Sequence, residues 1–241
     1  MKTPLADKDS FVSDKVLKEI FPAKSVIESF YLYSGAMEVS LSLSDRLIVA
    51  HTNKYPTYEF WWMAKNRGHQ IASMVENIFD DIPESMLYTF QENWFKQRDP
   101  VYRTALFYIL NRCSSLSEAS RGEIDKSKLN RFLVSRFYVL LDKSDGADFN
   151  VGADIDSDYK FFPIGNYNLK LLASRDFGSV EIAATPHIKL HQMLCSASYK
   201  WAVLYKYHKN LIKKYADYNV ILVDQYGNRT KKQDTCEDVI V

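Results

Sequence analysis

Ser25–His51 reads SVIESFYLYSGAMEVSLSLSDRLIVAH. Ser25 to Tyr33 is rich in β-branched and aromatic residues and predicts a strand. Ser34-Gly35-Ala36 follows as a turn able to open a helix. Arg46 to His51 is a short apolar run between polar residues, which predicts a second, buried strand. Strand, glycine turn, helix and strand in that order point to a doubly wound α/β sheet.

Working outward, Pro56 to Phe79 predicts a helix with Gly68 as a weak point, and Pro83 breaks the pattern. A second helix is expected over about 84–96. Asp99-Pro100 then opens a third, with Asp99 suited to cap and Pro100 to the first turn. Leu106, Ile109 and Leu110 lie on one face of it. Arg131 to Leu141 fits helix or strand. Val180 to Ala184 predicts a strand, Ser198 to Tyr215 a helix, and Val220 to Asp224 a strand. Gly227 to Thr235 is polar and Glu237 to Val241 apolar, which together predict a C-terminal β-hairpin.

A quarter of the 241 residues are charged and nearly half are apolar or aromatic, with a net charge of +1. That is an ordinary globular composition. No apolar run approaches the roughly 18–20 residues of a membrane span, and no secretory leader is evident. Cys113, Cys195 and Cys236 are scattered and odd in number, which argues against disulfides and a zinc site and suits the reducing cytoplasm.

The stretch Tyr88–Arg112, YTFQENWFKQRDPVYRTALFYILNR, carries Asp99-Pro100, Arg103, Ala105-Leu106-Phe107 and Leu110-Asn111-Arg112. It resembles the DNA-recognition lobe of Dam-type DNA adenine-N6 methyltransferases. The tail from Val220 to Val241, with Gly227-Asn228-Arg229-Thr230-Lys231-Lys232 at its tip, resembles the same family's closing hairpin. The order of elements around Gly35 is similar too. The resemblance implies a Rossmann-like methyltransferase sheet over 1–83 and 166–241, a mainly helical lobe inserted at 84–165, and a C-terminal β-hairpin.

The departures from the family carry the functional argument. Its opening Lys-Trp-x-Gly-Gly-Lys motif has no counterpart near Lys2 to Lys8. Its cofactor loop, Glu-Pro-Phe-x-Gly-x-Gly, is met by Tyr31 to Met37, where Gly35 alone survives, followed by Ala36 and Met37. A glycine lets backbone approach a ligand closely, and Met37 puts a thioether there. The acid that holds the ribose is met by His51. The catalytic Asp-Pro-Pro-Tyr, which grips and stacks on a flipped adenine, is met after a short strand by Ala184-Thr185-Pro186-His187. Each such electrostatic group is worth about a hundredfold to a thousandfold, so their joint loss predicts a pseudoenzyme without a cofactor. Ala184→Asp alone would not restore it.

What remains is binding. From Lys189 to Lys232 there are nine lysines or arginines against Asp217 and Asp224, about +7, in a chain otherwise acidic to a similar extent. Such asymmetry is a footprint for a polyanion. The candidate DNA contacts are Arg103, Asn111, Arg112, Lys206, Lys209, Lys213, Arg229, Lys231 and Lys232. Helix capping, structural ion pairs and a solvated face are the plainer readings of the same charges. The run Asp154, Asp156, Asp158 opens like a calcium loop, but Tyr159 and Gly165 stand where glycine and glutamate are needed, so no metal is expected. Three functions stay open: a binding or scaffolding pseudoenzyme on DNA or a DNA-processing complex; an active S-adenosylmethionine-dependent adenine methyltransferase with an Ala-Thr-Pro-His site; and a structural or protein-interaction component, of viral origin and in the host cytoplasm, without nucleic acid.

Overall fold

The computed structural model describes residues 5, 11–30, 34–52, 54–132, 134, 138, 149–151, 156–165, 167, 173–174, 181–182 and 187–241, with backbone placement alone at 149–151, 173–174, 181–182 and 187–189. The described strands are β1 (Val26–Ser29), β2 (Leu47–Ala50), β3 (Phe149–Val151), β4 (Tyr159–Gly165), β5 (Ala173–Ser174), β6 (Glu181–Ile182), β7 (Lys200–Lys206), β8 (Ile221–Asp224), β9 (Arg229–Thr230) and β10 (Cys236–Ile240). The helices are α1 (Asp14–Ile20), α2 (Ala36–Ser42), α3 (Tyr55–Asp81), α4 (Glu84–Asn93), α5 (Pro100–Cys113), α6 (His187–Cys195) and α7 (Lys209–Lys214).

Eight strands form one sheet in the order β3-β2-β1-β4-β7-β10-β8-β9. The first five run parallel. β10 is antiparallel to both β7 and β8, and β9 is antiparallel to β8. The expected α/β class and the C-terminal antiparallel strands are therefore present.

The middle strands of the sheet feed two cores. On β4, Phe161 joins one cluster while Phe162 and Ile164 join the other. On β7, Ala202 and Leu204 go one way and Val203 and Tyr205 the other. This is the two-residue alternation of a strand buried on both faces. It explains the error over Ser198–Tyr215. That segment is strand β7 and then the short helix α7, not one helix. A short apolar run that is buried on both sides carries no periodicity to separate it from a helix.

The helical insertion lies between β2 and β3. α5 begins at the predicted cap: Asp99 accepts a hydrogen bond from the Val101 amide at 2.9 Å, and Pro100 occupies the first turn. α3 departs from helical backbone at Arg67, beside the predicted weak point Gly68. α4 starts directly after Pro83. α5 is buried nearly all round, from Val101 to Cys113, as a central helix must be. Its Leu106 and Ile109 share one core with Ile27, Ile48 and Phe60, so the helices pack into the sheet's own core. The expected lobe boundary at 165 is too late, because β3 and β4 within it are strands of the main sheet.

Candidate functional site

In an open α/β sheet, ligands bind beyond the carboxyl ends of the strands where the winding reverses. Here that point lies between β1 and β4, with β2 on the other flank of β1. The turn after β1 holds Gly35 in the left-handed region, φ +73°. A Cβ built on Gly35 would lie 2.5 Å from Cζ2 of Trp61. Trp61, from α3, is only 5% exposed. The indole therefore occupies the space that the missing side chain leaves open. Met37 is equally buried, and Glu38 accepts a 2.8 Å hydrogen bond from the Ser29 hydroxyl inside the core. The first turn of α2 is thus packed against the protein itself.

At the end of β2, His51 lies with Nε2 3.0 Å from Oε1 of Glu28. Lys160 Nζ stands 3.2 Å from the other carboxylate oxygen, and the Ser157 hydroxyl donates to it at 3.3 Å. The Glu28 side chain is 12% exposed, with Lys160 and Ser157 at one oxygen and His51 Nε2 close to the other without forming a hydrogen bond. Beside this group the rings of His51, Phe30 and Phe162 stack in series, with centroids 5.1 Å apart at each step. Lys160 sits over Phe30 and over Tyr199, 4.7 Å from the latter's centroid. Sequence reasoning placed His51 here but missed Glu28, Phe30 and Lys160. The available signal was a glutamate within a strand that opens on Val26 and Ile27.

β4 ends in an irregular register opposite β7, between Pro163 and Gly165. Tyr167 follows, edge-on to Tyr205 at 6.0 Å and 5.2 Å from the His208 ring. Ala184, Thr185 and Pro186 lie outside the described residues, and His187 begins α6. The strand before them, β6, pairs with β5 in a separate two-stranded ladder. The strand beside β1 is β4, and the sequence at its end, Phe162-Pro163-Ile164-Gly165-Asn166-Tyr167, contains no carboxylate.

The candidate DNA contacts divide sharply. Arg103 is tied to Glu59 of α3 through Nε at 2.8 Å and through Nη2, so it braces α3 against α5. Its guanidinium is held above the usual range, chiefly by those hydrogen bonds. Asn111 is buried and donates to the Ser117 carbonyl at 2.7 Å. Arg112 is half-buried and hydrogen-bonds Tyr108. Lys206 lies on a strand, not a helix face, and reaches Asp238 and Glu237, both at 2.8 Å. These four are internal braces, which removes them as a nucleic-acid surface. Arg229 is exposed but paired with Glu19 of α1 at 3.1 Å. Lys209, Lys213, Lys231 and Lys232 are exposed and without an ion pair among the described residues. Lys209 follows the carboxyl end of β7. Tyr207 links that end to the tail by a 3.2 Å bond from its hydroxyl to Gln233, the neighbour of Lys232.

Burial pushes the Cys113 thiol up to about 12 and that of Cys236 to about 11, so neither is a nucleophile near neutral pH. Among the described residues no cluster of three or more metal-ligating groups occurs, and no helix is long and apolar enough to cross a membrane. Neither a protein-family model nor a curated protein sequence matches the chain.

Proposed function

We propose that this protein is a methyltransferase-like fold of the Dam type that has given up its cofactor and acts by binding nucleic acid through a basic end of its sheet. The observation that carries the first half is Trp61 seated on Gly35. The close approach that a cofactor loop reserves for its ligand is used by the protein's own indole. Met37 is core, and the carboxylate beside the end of β2, Glu28, is engaged by Lys160 and Ser157. These residues do not fit S-adenosylmethionine. The sheet order supports the fold reading. The parallel strands follow the doubly wound order, and one reversed strand, β10, lies between β7 and β8.

Calorimetric titration with S-adenosylmethionine tests this half. No heat of binding is expected at millimolar cofactor, whereas micromolar affinity overturns the reading and makes the adenine methyltransferase the leading function.

The second half rests on Lys209, Lys213, Lys231 and Lys232. Each phosphate contact contributes about 0.9 to the slope of log affinity against log salt. Changing all four to alanine is expected to flatten that slope for duplex DNA by about 3–4 and to weaken binding at low salt. Unchanged slope and affinity would remove this face as the contact. Arg229 is left out of the set because Glu19 holds it.

A further inference from the structure

We propose that the outward face of the first two turns of α3, built from Tyr55, Tyr58 and Trp62, is a stacking platform for the unpaired bases of single-stranded nucleic acid. This rests on the nucleic-acid reading above and adds a second contact with a different physical basis. Thr57, Phe60, Trp61 and Ala64 point to the interior and are buried. Trp61 seats the helix over Gly35. The outward face is thereby set: Tyr55, Tyr58 and Trp62 follow at three- and four-residue steps, which puts them on one side. Tyr55 is 53% and Trp62 46% exposed, and Tyr58 is half-buried between them. The Tyr55 and Tyr58 rings lie 6.3 Å apart. The Tyr55 hydroxyl donates to Glu59 at 3.3 Å, which steadies the outermost ring. Burying an indole removes a large apolar area from water, yet Trp62 stays open beside the buried Trp61.

Charge selects the occupant. From Lys54 to Gln70 the charged residues are Lys54, Glu59, Lys65 and Arg67. Glu59 is buried and held by Arg103, whereas Lys65 and Arg67 are exposed. This stretch therefore shows rings and cations to solvent, and no acid. Two copies of the chain face to face would set like charges together, and an apolar partner helix would leave the cations unused. A single strand uses both. Its bases stack on rings whatever their sequence, and its phosphates meet the cations. The location suits such a strand as well. α3 leaves the carboxyl end of β2 and Lys209 follows that of β7, so both belong to one edge of the sheet, on strands three spacings, about 14 Å, apart.

Fluorescence anisotropy of a labelled oligothymidylate, which cannot pair with itself, tests the platform in the full chain. Trp62→Ala is expected to weaken binding about five- to a hundredfold, the usual worth of one stacked base. Trp62→Phe keeps a ring and should lose less, and Tyr55→Ala should add to the loss. None of these changes removes a charge, so the salt slope should stay at its wild-type value. Circular dichroism confirms that each variant keeps its helices. The four-lysine variant separates this proposal from the one it rests on. If Trp62→Ala and Tyr55→Ala bind the single strand like the wild type while duplex binding still needs the lysines, the platform is overturned and the lysine face stands. If Trp62→Ala loses the strand while duplex binding ignores the lysines, the platform stands and the lysine face falls. A wild type that binds neither form removes both. A wild-type dimer in sedimentation that Trp62→Ala turns into a monomer makes this face a contact between copies and overturns the platform.

Discussion

Asp238→Ala is expected to lower the unfolding free energy by about 3–5 kcal/mol, the usual consequence of removing one partner of a buried charge pair. Asp238 lies on β10 and is fully buried. One carboxylate oxygen accepts from the Val12 amide at 2.7 Å, the Ser13 amide at 3.1 Å and the Ser13 hydroxyl at 2.7 Å. The other accepts from Lys206 Nζ at 2.8 Å. A single side chain near the end of the chain thus anchors the start of α1 and neutralises the lysine of β7. Alanine strands three donors and leaves the Lys206 ammonium with Glu237 alone. Burial works against the Lys206 ammonium, but its hydrogen bonds to Asp238 and Glu237 outweigh this and raise its pKa. The lysine's share of the stability is therefore fully present below its unfolded value of about 10.4 and is lost only as pH rises through the raised folded value. Denaturant unfolding near neutral pH measures the loss. Lys206→Met should also destabilise, and Asp238→Ala combined with Lys206→Met should cost less than the two single losses added together, because the two sites are coupled. Additive losses would show that the pair does not act as a unit.

Arg103→Ala is expected to cost about 3 kcal/mol of stability and to leave the salt dependence of DNA binding untouched. Its guanidinium meets both oxygens of Glu59, whose side chain is 8% exposed, and Tyr55 donates to the same carboxylate at 3.3 Å. Without the arginine that carboxylate is buried with one neutral donor. Arg103→Lys should fall between, because an ammonium cannot reproduce the two-pronged contact. Equilibrium unfolding and a salt titration of duplex binding, on the same variant, separate the two roles. A flattened salt slope with unchanged stability would return Arg103 to the nucleic-acid surface.

Several elements were legible because their signals are local. Asp99-Pro100 caps α5, Pro83 separates α3 from α4, and Gly68 marks the bend in α3; each acts through backbone torsions or hydrogen bonds within a few residues. The strands at 26–29 and 47–50 and the closing antiparallel strands followed from short apolar runs bounded by polar turns. β4 and β7 were not legible. β4 lay in a segment assigned to the inserted lobe. β7 matched a helical pattern, because burial on both faces erases the alternation that marks a strand.

The candidate site divides the same way. Sequence by itself determined the chemical inventory: a single glycine at 35, a histidine at 51, and an excess of lysine toward the C-terminus. Only the tertiary structure decided what each residue does. Trp61 is 26 positions from the glycine it covers, Glu59 is 44 from Arg103, and Asp238 is 225 from Ser13. Whether a cation is a brace or a free contact depends on the carboxylate it meets in the folded chain, and over such separations no local pattern of residues records that meeting.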